Sequence, residues 1–344
     1  MTRRIGFPVR VGVIGCGTIA YWAHLRTLQR LRGATLAAAA DPDPAARARV
    51  ARMVHGPMHQ TSADLLRCDD IDAVVISAPT LLHAELTIAA AVAGKHVYVE
   101  KPLATTADAA RAAIDAVGRA GVVATVGFNY RHHPAHERAH ALLNAGCIGA
   151  IRAVQTAFCE PTPPDTMSVW KRRRQSGGGV LLDLGSHHVD LLRWFLNDEV
   201  AVVNAHIATD KTDDDSAALT LTMRSGITAQ MYVSFRSGPV DYLEFIGERG
   251  TLRVDRHALA PTLCRARRAG YGVKAWSPPS AALWVRRLVR PSYQPSFSRS
   301  LDAFIQRVRG LPVPQATLTD GARSLAVVLA AEESARRTAP VAVP

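Results

Sequence analysis

The sequence predicts a mixed α/β protein of two domains. Three observations lead there. A short apolar strand pattern at residues 9–14 runs straight into a glycine-rich turn and then into a helical stretch. Strand and helix patterns then alternate as far as residue 126, as a parallel sheet requires. Beyond residue 127 strand patterns follow one another with few helices between them, which argues for a mainly antiparallel sheet. At 344 residues the chain is also long for a single core. The expected domains are residues 1–127 and residues 128–344.

The first element is Val9-Arg10-Val11-Gly12-Val13-Ile14, and Gly15-Cys16-Gly17-Thr18-Ile19-Ala20 follows at once. This is the G-x-G-x-x-A fingerprint of a dinucleotide site in its strand–turn–helix context. Gly15 permits the tight turn, Gly17 lets a pyrophosphate approach the backbone, and Ala20 allows close packing of helix on strand. Thr18 and Ile19 lie inside the same turn. The next strand, 35–40, ends at Asp41, about 20 residues past the glycines, where an acid would bond the adenosine ribose. A carboxylate there repels a 2′-phosphate, so NAD is favoured over NADP. Arg47 and Arg49 lie close enough in sequence to soften that repulsion. Asp41-Pro42-Asp43-Pro44 reads equally as a turn and helix cap, and both roles can hold together.

Residues 73–77 form the next strand, followed by the loop Ala78-Pro79-Thr80 and a helix at 81–93 that stops at Gly94. A strand at 95–99 leads into Glu100-Lys101-Pro102. A helix at 106–120 and a strand at 122–126 close the unit. Ligands of open α/β sheets bind at the carboxyl ends of the strands, which puts Ser77, Pro79, Thr80, Glu100 and Lys101 near the cofactor. Lys101 can steer a hydroxyl and stabilise developing alkoxide charge. The competing reading is a surface lysine in a turn.

In the second half a helix is expected at 134–145, ending near Gly146. Strands are expected at 151–159, 200–208, 217–223, 228–235, 242–246 and 251–254, with Gly226, Gly238 and Gly250 between them. Helices at 301–308 and 321–337 close the chain. Between the first two strands lies Gly177-Gly178-Gly179, followed by Val180, Leu184, Leu191, Leu192 and Phe195 at helical spacing. Asp183 and His187 are four apart on this helix and are expected to point the same way. A histidine beside a carboxylate suits proton transfer, because its ordinary pKa is near neutral. An amphipathic helix with a surface histidine is the competing reading.

The net charge of +12 is uneven. From Arg256 through Leu301 there are nine bases and no acid, so this segment carries most of the excess. Within it, Ala281, Trp284, Val285, Leu288 and Val289 share one side of a short basic amphipathic helix at 281–290. Its apolar face is expected to pack on its own or a partner subunit, in preference to an anionic membrane surface. No nucleic-acid motif accompanies the basic segment. Lys171-Arg172-Arg173-Arg174, just before the glycines, reads either as a solvated loop or as a clamp for phosphate or carboxylate on the substrate. Cys16, Cys68, Cys147, Cys159 and Cys264 are scattered and lack C-x-x-C spacing, which argues against a disulfide framework or a cysteine zinc site. No other metal site is expected. With no secretory signal pattern and no apolar run of membrane-spanning length, a cytoplasmic location is expected.

Gly15-x-Gly17-x-x-Ala20, Glu100-Lys101-Pro102 and Gly177-Gly178-Gly179-x-x-x-Asp183-x-Gly185-x-His187, in this order, resemble the glucose–fructose oxidoreductase/inositol dehydrogenase (Gfo/Idh/MocA) family. So do Gly127-Phe128-Asn129-Tyr130-Arg131, Gly247-Glu248-Arg249-Gly250-Thr251-Leu252 and Thr319-Asp320-Gly321-Ala322-Arg323-Ser324-Leu325. The resemblance implies an N-terminal Rossmann NAD-binding domain and a C-terminal α+β domain with an open, mainly antiparallel sheet. The free face of that sheet would join copies into a dimer or tetramer. The resemblance also implies that Lys101, Asp183 and His187 form the catalytic set. His187 would exchange the hydroxyl proton, Lys101 would hold the oxygen, and Asp183 would orient substrate or imidazole. Gly15, Gly17, Thr18, Ile19, Ala20, Asp41, Ser77, Pro79, Thr80, His83, Glu100, Lys101 and Asn129 would bind the cofactor.

The implied activity is hydride transfer between the nicotinamide and a secondary alcohol or ketone on a sugar, nucleotide sugar or cyclitol. Two other outcomes occur on such a site: a glycosidase-type cycle without net cofactor turnover, and a dinucleotide-sensing regulator. Lys101, Asp183 and His187 together argue against the second, because a sensor has no use for a proton-transfer set.

Overall fold

The computed structural model describes residues 8–256, 262–268, 271–277 and 295–344. They divide into two compact units. One comprises the described residues up to Asn129 together with Ser296–Leu325. The other comprises the described residues from Tyr130 to Pro295 together with Ala326–Pro344. The sequence reading drew a single boundary after residue 127, without the return of Ser296–Leu325 to the first unit.

The first unit is built on six parallel strands: β1 (Val9–Ile14), β2 (Ala34–Ala40), β3 (Met58–His59), β4 (Ala73–Ile76), β5 (His96–Val99) and β6 (Ala124–Val126). Their order is β3-β2-β1-β4-β5-β6. This is the doubly wound order, with a crevice where it reverses between β1 and β4. Alternation along β1 buries Val9, Val11 and Val13 on one face. There they meet Leu301, Phe304, Ile305 and Val308 of the helix Pro295–Val308, which explains why this late segment belongs with the first unit. Tyr98 joins the same core and its hydroxyl lies 3.1 Å from Ser300 Oγ. Local signals set the helices. Thr106 caps Ala107–Ala120 by accepting from Ala109 N–H at 3.3 Å, and Gly121 ends it at φ 64°.

The second unit holds nine strands: β7 (Ile151–Cys159), β8 (Val200–Ala208), β9 (Ser216–Met223), β10 (Thr228–Ser234), β11 (Val240–Gly247), β12 (Gly250–Asp255), β13 (Thr262–Arg268), β14 (Tyr271–Ser277) and β15 (Val341–Ala342). Their order is β14-β13-β12-β11-β7-β10-β9-β8-β15. β7 and β10 pair in parallel and the other neighbours antiparallel. Strict alternation buries Ala217, Leu219, Leu221 and Met223 of β9, and Ala229, Met231 and Val233 of β10, on one face. The helix Ser186–Leu196 covers that face, with the Phe195 and Phe245 rings 4.9 Å apart.

Three features depart from the sequence reading. β13 and β14 lie in the basic segment, where no strand was expected. The stretches after the two glycine turns open as π-helical turns, Ala20–Leu25 and Leu181–Gly185, and only then continue as α-helix. The two-residue strands β3 and β15 have too little pattern to detect. The amphipathic stretch 281–290 lies outside the described residues. All five cysteines are free thiols. Among the described residues, no helix is long and apolar enough to cross a membrane.

Phe304→Ala removes a fully buried ring from the first unit's core. It is expected to lower unfolding free energy by about 3–5 kcal/mol in a denaturant titration. An unchanged midpoint would mean that the returning helix does not stabilise this core.

Candidate active site

The glycine turn follows directly from β1. Gly15 has φ 94°, and a Cβ there would lie 2.7 Å from the backbone of Ser77 and Ala78. Only glycine fits, because the loop after β4 passes directly beside it. Ser77 fastens the two, donating its hydroxyl to the Gly15 carbonyl at 2.9 Å. At Gly17 a Cβ would meet nothing within 4 Å. The turn is therefore open at the point where a pyrophosphate would approach, and the residues present fit a dinucleotide.

Asp41, at the end of β2, accepts from Cys16 N–H at 2.7 Å through one oxygen and from Asp43 N–H at 2.9 Å through the other. Its carboxylate therefore shapes the glycine turn and the cap of the next helix at once. Arg49 donates to the Cys16 carbonyl at 2.7 Å, and Arg47 to the Asp41 carbonyl at 2.6 Å. Both guanidiniums are thus bound to backbone around Asp41. Burial pushes the Cys16 thiol up to about 12, so it stays protonated.

The loops after β4 and β5 are tied by His83. Its Nδ1 lies 2.7 Å from the Pro102 carbonyl and its Nε2 2.9 Å from the Ala78 carbonyl. Complete burial lowers its pKa, against the opposing pull of the two carbonyls. Pro79 and Thr80 belong to the loop so fixed, where Leu82 N–H bonds the Pro79 carbonyl at 2.9 Å. Glu100 is buried and accepts from Lys101 N–H at 3.2 Å. Its other oxygen lies 2.8 Å from His24 Nε2. Burial pushes the Glu100 carboxyl up, but the His24 hydrogen bond and nearby positive charge outweigh it and hold the group below its ordinary 4.5. Asn129 donates its amide to Ser296 Oγ at 2.9 Å and so anchors the returning segment.

In the second unit, the turn before the proposed catalytic helix also demands glycine. A Cβ on Gly178 would collide with the Lys171 carbonyl. Asp183 and His187 sit on the same helical stretch. Asp183 bonds Lys171 Nζ at 2.8 Å. The His187 ring stacks on Tyr130, with centroids 4.1 Å apart and planes 14° apart. Arg131 forks onto Asp190 at 2.8 and 2.6 Å, joining the Gly127–Arg131 motif to the helix that carries His187.

The run at residues 171–174 is braced within its own unit. Lys171 holds Asp183, Arg172 donates twice to the Met167 carbonyl, and Arg174 forks onto Glu332. Arg173 lies 3.6 Å from Asp213 and is largely exposed. Sequence reasoning missed His24, Tyr130, His188, Asp241 and Arg256. Tyr130 lay inside a quoted motif, and Arg256 was counted as part of the basic segment although it is buried. Among the described residues no three His, Cys, Asp or Glu side chains converge as metal ligands would.

Comparison with known proteins bears on this arrangement. Residues 9–128 match the oxidoreductase family with an NAD-binding Rossmann fold (GFO_IDH_MocA), and residues 136–253 match the GFO/IDH/MocA C-terminal domain. The chain is 30% identical over 338 residues to a dTDP-3,4-didehydro-2,6-dideoxy-alpha-D-glucose 3-reductase from Actinomadura kijaniata, covering 96% of each. The chain belongs to the Gfo/Idh/MocA family. It is an oxidoreductase with a NAD-binding Rossmann domain.

A further relative and a solved structure are also similar to this chain. Inositol 2-dehydrogenase 3 of Saccharopolyspora erythraea is 32% identical over 257 residues, which is 72% of this chain and 73% of that protein. The crystal structure of KijD10, a 3-ketoreductase from Actinomadura kijaniata in complex with NADP and TDP-benzene, has a TM-score of 0.81 at 28% identity. That likeness covers 95% of this chain and 98% of the other.

Glu100 gives this family member a pH-dependent term. Its folded pKa is lowered, so its contribution is complete above about pH 4.5 and is lost as pH falls through the folded value. Glu100→Gln is expected to cost about 1–3 kcal/mol at neutral pH, with the gap closing under acid. Urea titrations of both proteins between neutral and acid pH check this. A constant gap would mean that the carboxylate charge is not what stabilises the site.

Proposed function

We propose that the protein transfers hydride between NAD(H) and a secondary alcohol or ring ketone of a sugar, nucleotide sugar or cyclitol. The observation that carries this reading is His187, a basic side chain stacked on Tyr130 in the glycine-turn helix, in a chain whose other unit carries the dinucleotide turn. The bound nicotinamide supplies the hydride donor or acceptor. His187 takes or gives the hydroxyl proton. Lys101 stabilises negative charge developing on the oxygen. Asp183, held by Lys171, fixes substrate hydroxyls next to His187. Relatives that reduce a nucleotide-linked keto sugar or oxidise inositol support this substrate range.

NAD is the proposed cofactor. Asp41 faces the glycine turn, and Arg47 and Arg49 are held on backbone carbonyls and not turned toward a phosphate. The NADP in the KijD10 complex argues the other way, so the cofactor should be measured directly. The outer face of the nine-stranded sheet, carrying Gln155, Thr220, Gln230 and Tyr232, is the proposed surface for association of copies. Five free thiols support a reducing, cytoplasmic setting.

Titration of the purified protein by nicotinamide fluorescence is expected to give at least about tenfold tighter binding of NADH than NADPH, a gap of about 1.4 kcal/mol. Equal or reversed affinities would overturn the Asp41 argument. With myo-inositol and dTDP-linked sugars as trial substrates, His187→Ala is expected to lower kcat by about 100-fold or more. NADH binding should stay within about twofold, well under 1 kcal/mol. Parallel loss of both would assign His187 a structural role.

A further inference from the structure

Behind the His187 helix runs a buried polar chain that the proposed chemistry does not use. Arg256 is 4% exposed. Its Nε donates to Asp241 Oδ2 at 2.8 Å, and its Nη2 bonds the same oxygen. The same Nη2 donates to the Tyr130 hydroxyl at 2.6 Å, and the guanidinium carbon lies 3.6 Å from the centre of the Tyr130 ring. Asp241 Oδ1 lies 3.2 Å from His188 Nε2. His188 Nδ1 bonds Thr156 Oγ1, and the Thr156 hydroxyl donates to the Tyr242 carbonyl at 3.0 Å.

These contacts form a closed circuit. It leaves the helix at His187, passes through Tyr130, Arg256 and Asp241, and returns at His188, the next residue. Rotation of the helix about its axis would break the His188–Asp241 contact. Sliding of the His187 ring would lose its stacking contact with Tyr130, which is held at its far end by a charged donor. Burial raises the Asp241 carboxyl, but Arg256 and His188 outweigh it and hold it well below the usual carboxylate range, so the circuit keeps a full charge pair. Such a pair resists opening, because either charge left alone would be buried without a partner.

We infer that Arg256, gripped by Asp241, is a positioning residue for His187, acting through Tyr130. The inference rests on the reading of His187 as the proton-exchanging group. Geometry matters at this level, since a displacement of about 1 Å can cost on the order of 100-fold in rate. Arg256 does not touch the reacting atoms; it fixes the plane of the ring that does.

Tyr130→Phe opens the circuit while keeping the ring and leaving no cavity. The readout is the Cε1–H signal of His187 in protein labelled at histidine Cε1, assigned among the 13 histidines by its loss in His187→Ala. Tyrosine and phenylalanine rings shield a stacked neighbour alike, so a change in this signal reports movement of His187. The expected result is a shifted or broadened His187 signal in Tyr130→Phe and in Arg256→Lys, with the histidines outside the circuit unchanged. NADH affinity should be unchanged, and kcat on any trial substrate turned over should fall by about tenfold. An unmoved His187 signal in Tyr130→Phe would overturn the positioning role, and that variant decides alone if Arg256→Lys fails to fold. A moved signal together with full turnover by His187→Ala would instead sink the catalytic reading, so the two failures stay distinct.

Discussion

One buried carboxylate sets the frame of the second unit. Asp241 is 1% exposed, and an isolated charge in that position would be prohibitively costly. Arg256 and His188 must therefore stand where they do, and each comes from a different element. Asp241 belongs to β11, Arg256 follows β12, and His188 lies on the helix across the sheet. The pair fixes the height and rotation of that helix. Arg131 and Asp190 repeat the device two residues further along, pairing a second charge with the same helix. The proposed catalytic histidine thus stands next to two buried charge contacts of the same helix.

The first unit uses a related constraint at a different scale. Its sheet order is common to doubly wound folds and says nothing of chemistry. What individualises it is the close passage of the β4 loop past Gly15 and the burial of Glu100 against His24. His24 stands on the helix that the glycine turn launches, so the glycine turn and the loop carrying Lys101 are joined through one buried hydrogen bond. His83 adds a second tie between the neighbouring loops. Lys101 is consequently displayed from a loop whose two flanks are fixed, which suits a group that must meet a developing charge without rearranging.

The parts legible in the sequence were those with local signatures. The glycine turn, Asp41 at the end of β2 and the alternating strands each declare themselves within a few neighbouring residues. The ties that organise the site do not. His24 and Glu100 are 76 residues apart, and Tyr130 and Arg256 are 126 apart, so no periodicity links them. Asp183 shows the limit of helical spacing. The four-residue interval to His187 predicted that the two side chains point the same way; it did not reveal that the stretch opens as a π-helical turn or that Lys171 bonds the carboxylate. β13 was hidden because Arg265, Arg267 and Arg268 interrupt its apolar pattern. The return of Ser296–Leu325 to the first unit is visible only once Leu301, Phe304 and Ile305 are seen against β1.

Charge counted along a sequence is not charge available to a ligand. Arg256 contributes to the most basic segment of the chain, yet it is buried and neutralised by Asp241. Of residues 171–174, Lys171 and Arg174 are paired with carboxylates, and Arg172 is bound to a backbone carbonyl. Arg173 alone of the four is largely exposed, and it too has Asp213 within 3.6 Å. A diphosphate-bearing sugar approaching this loop would meet one accessible guanidinium and not a cluster of four positive groups. The case for a nucleotide sugar therefore draws on relatives and not on this run. The residues read from sequence as either a solvated loop or a clamp hold the glycine turn and Asp183 in place: Gly178 N–H bonds the Arg173 carbonyl at 3.0 Å, and Lys171 Nζ bonds Asp183.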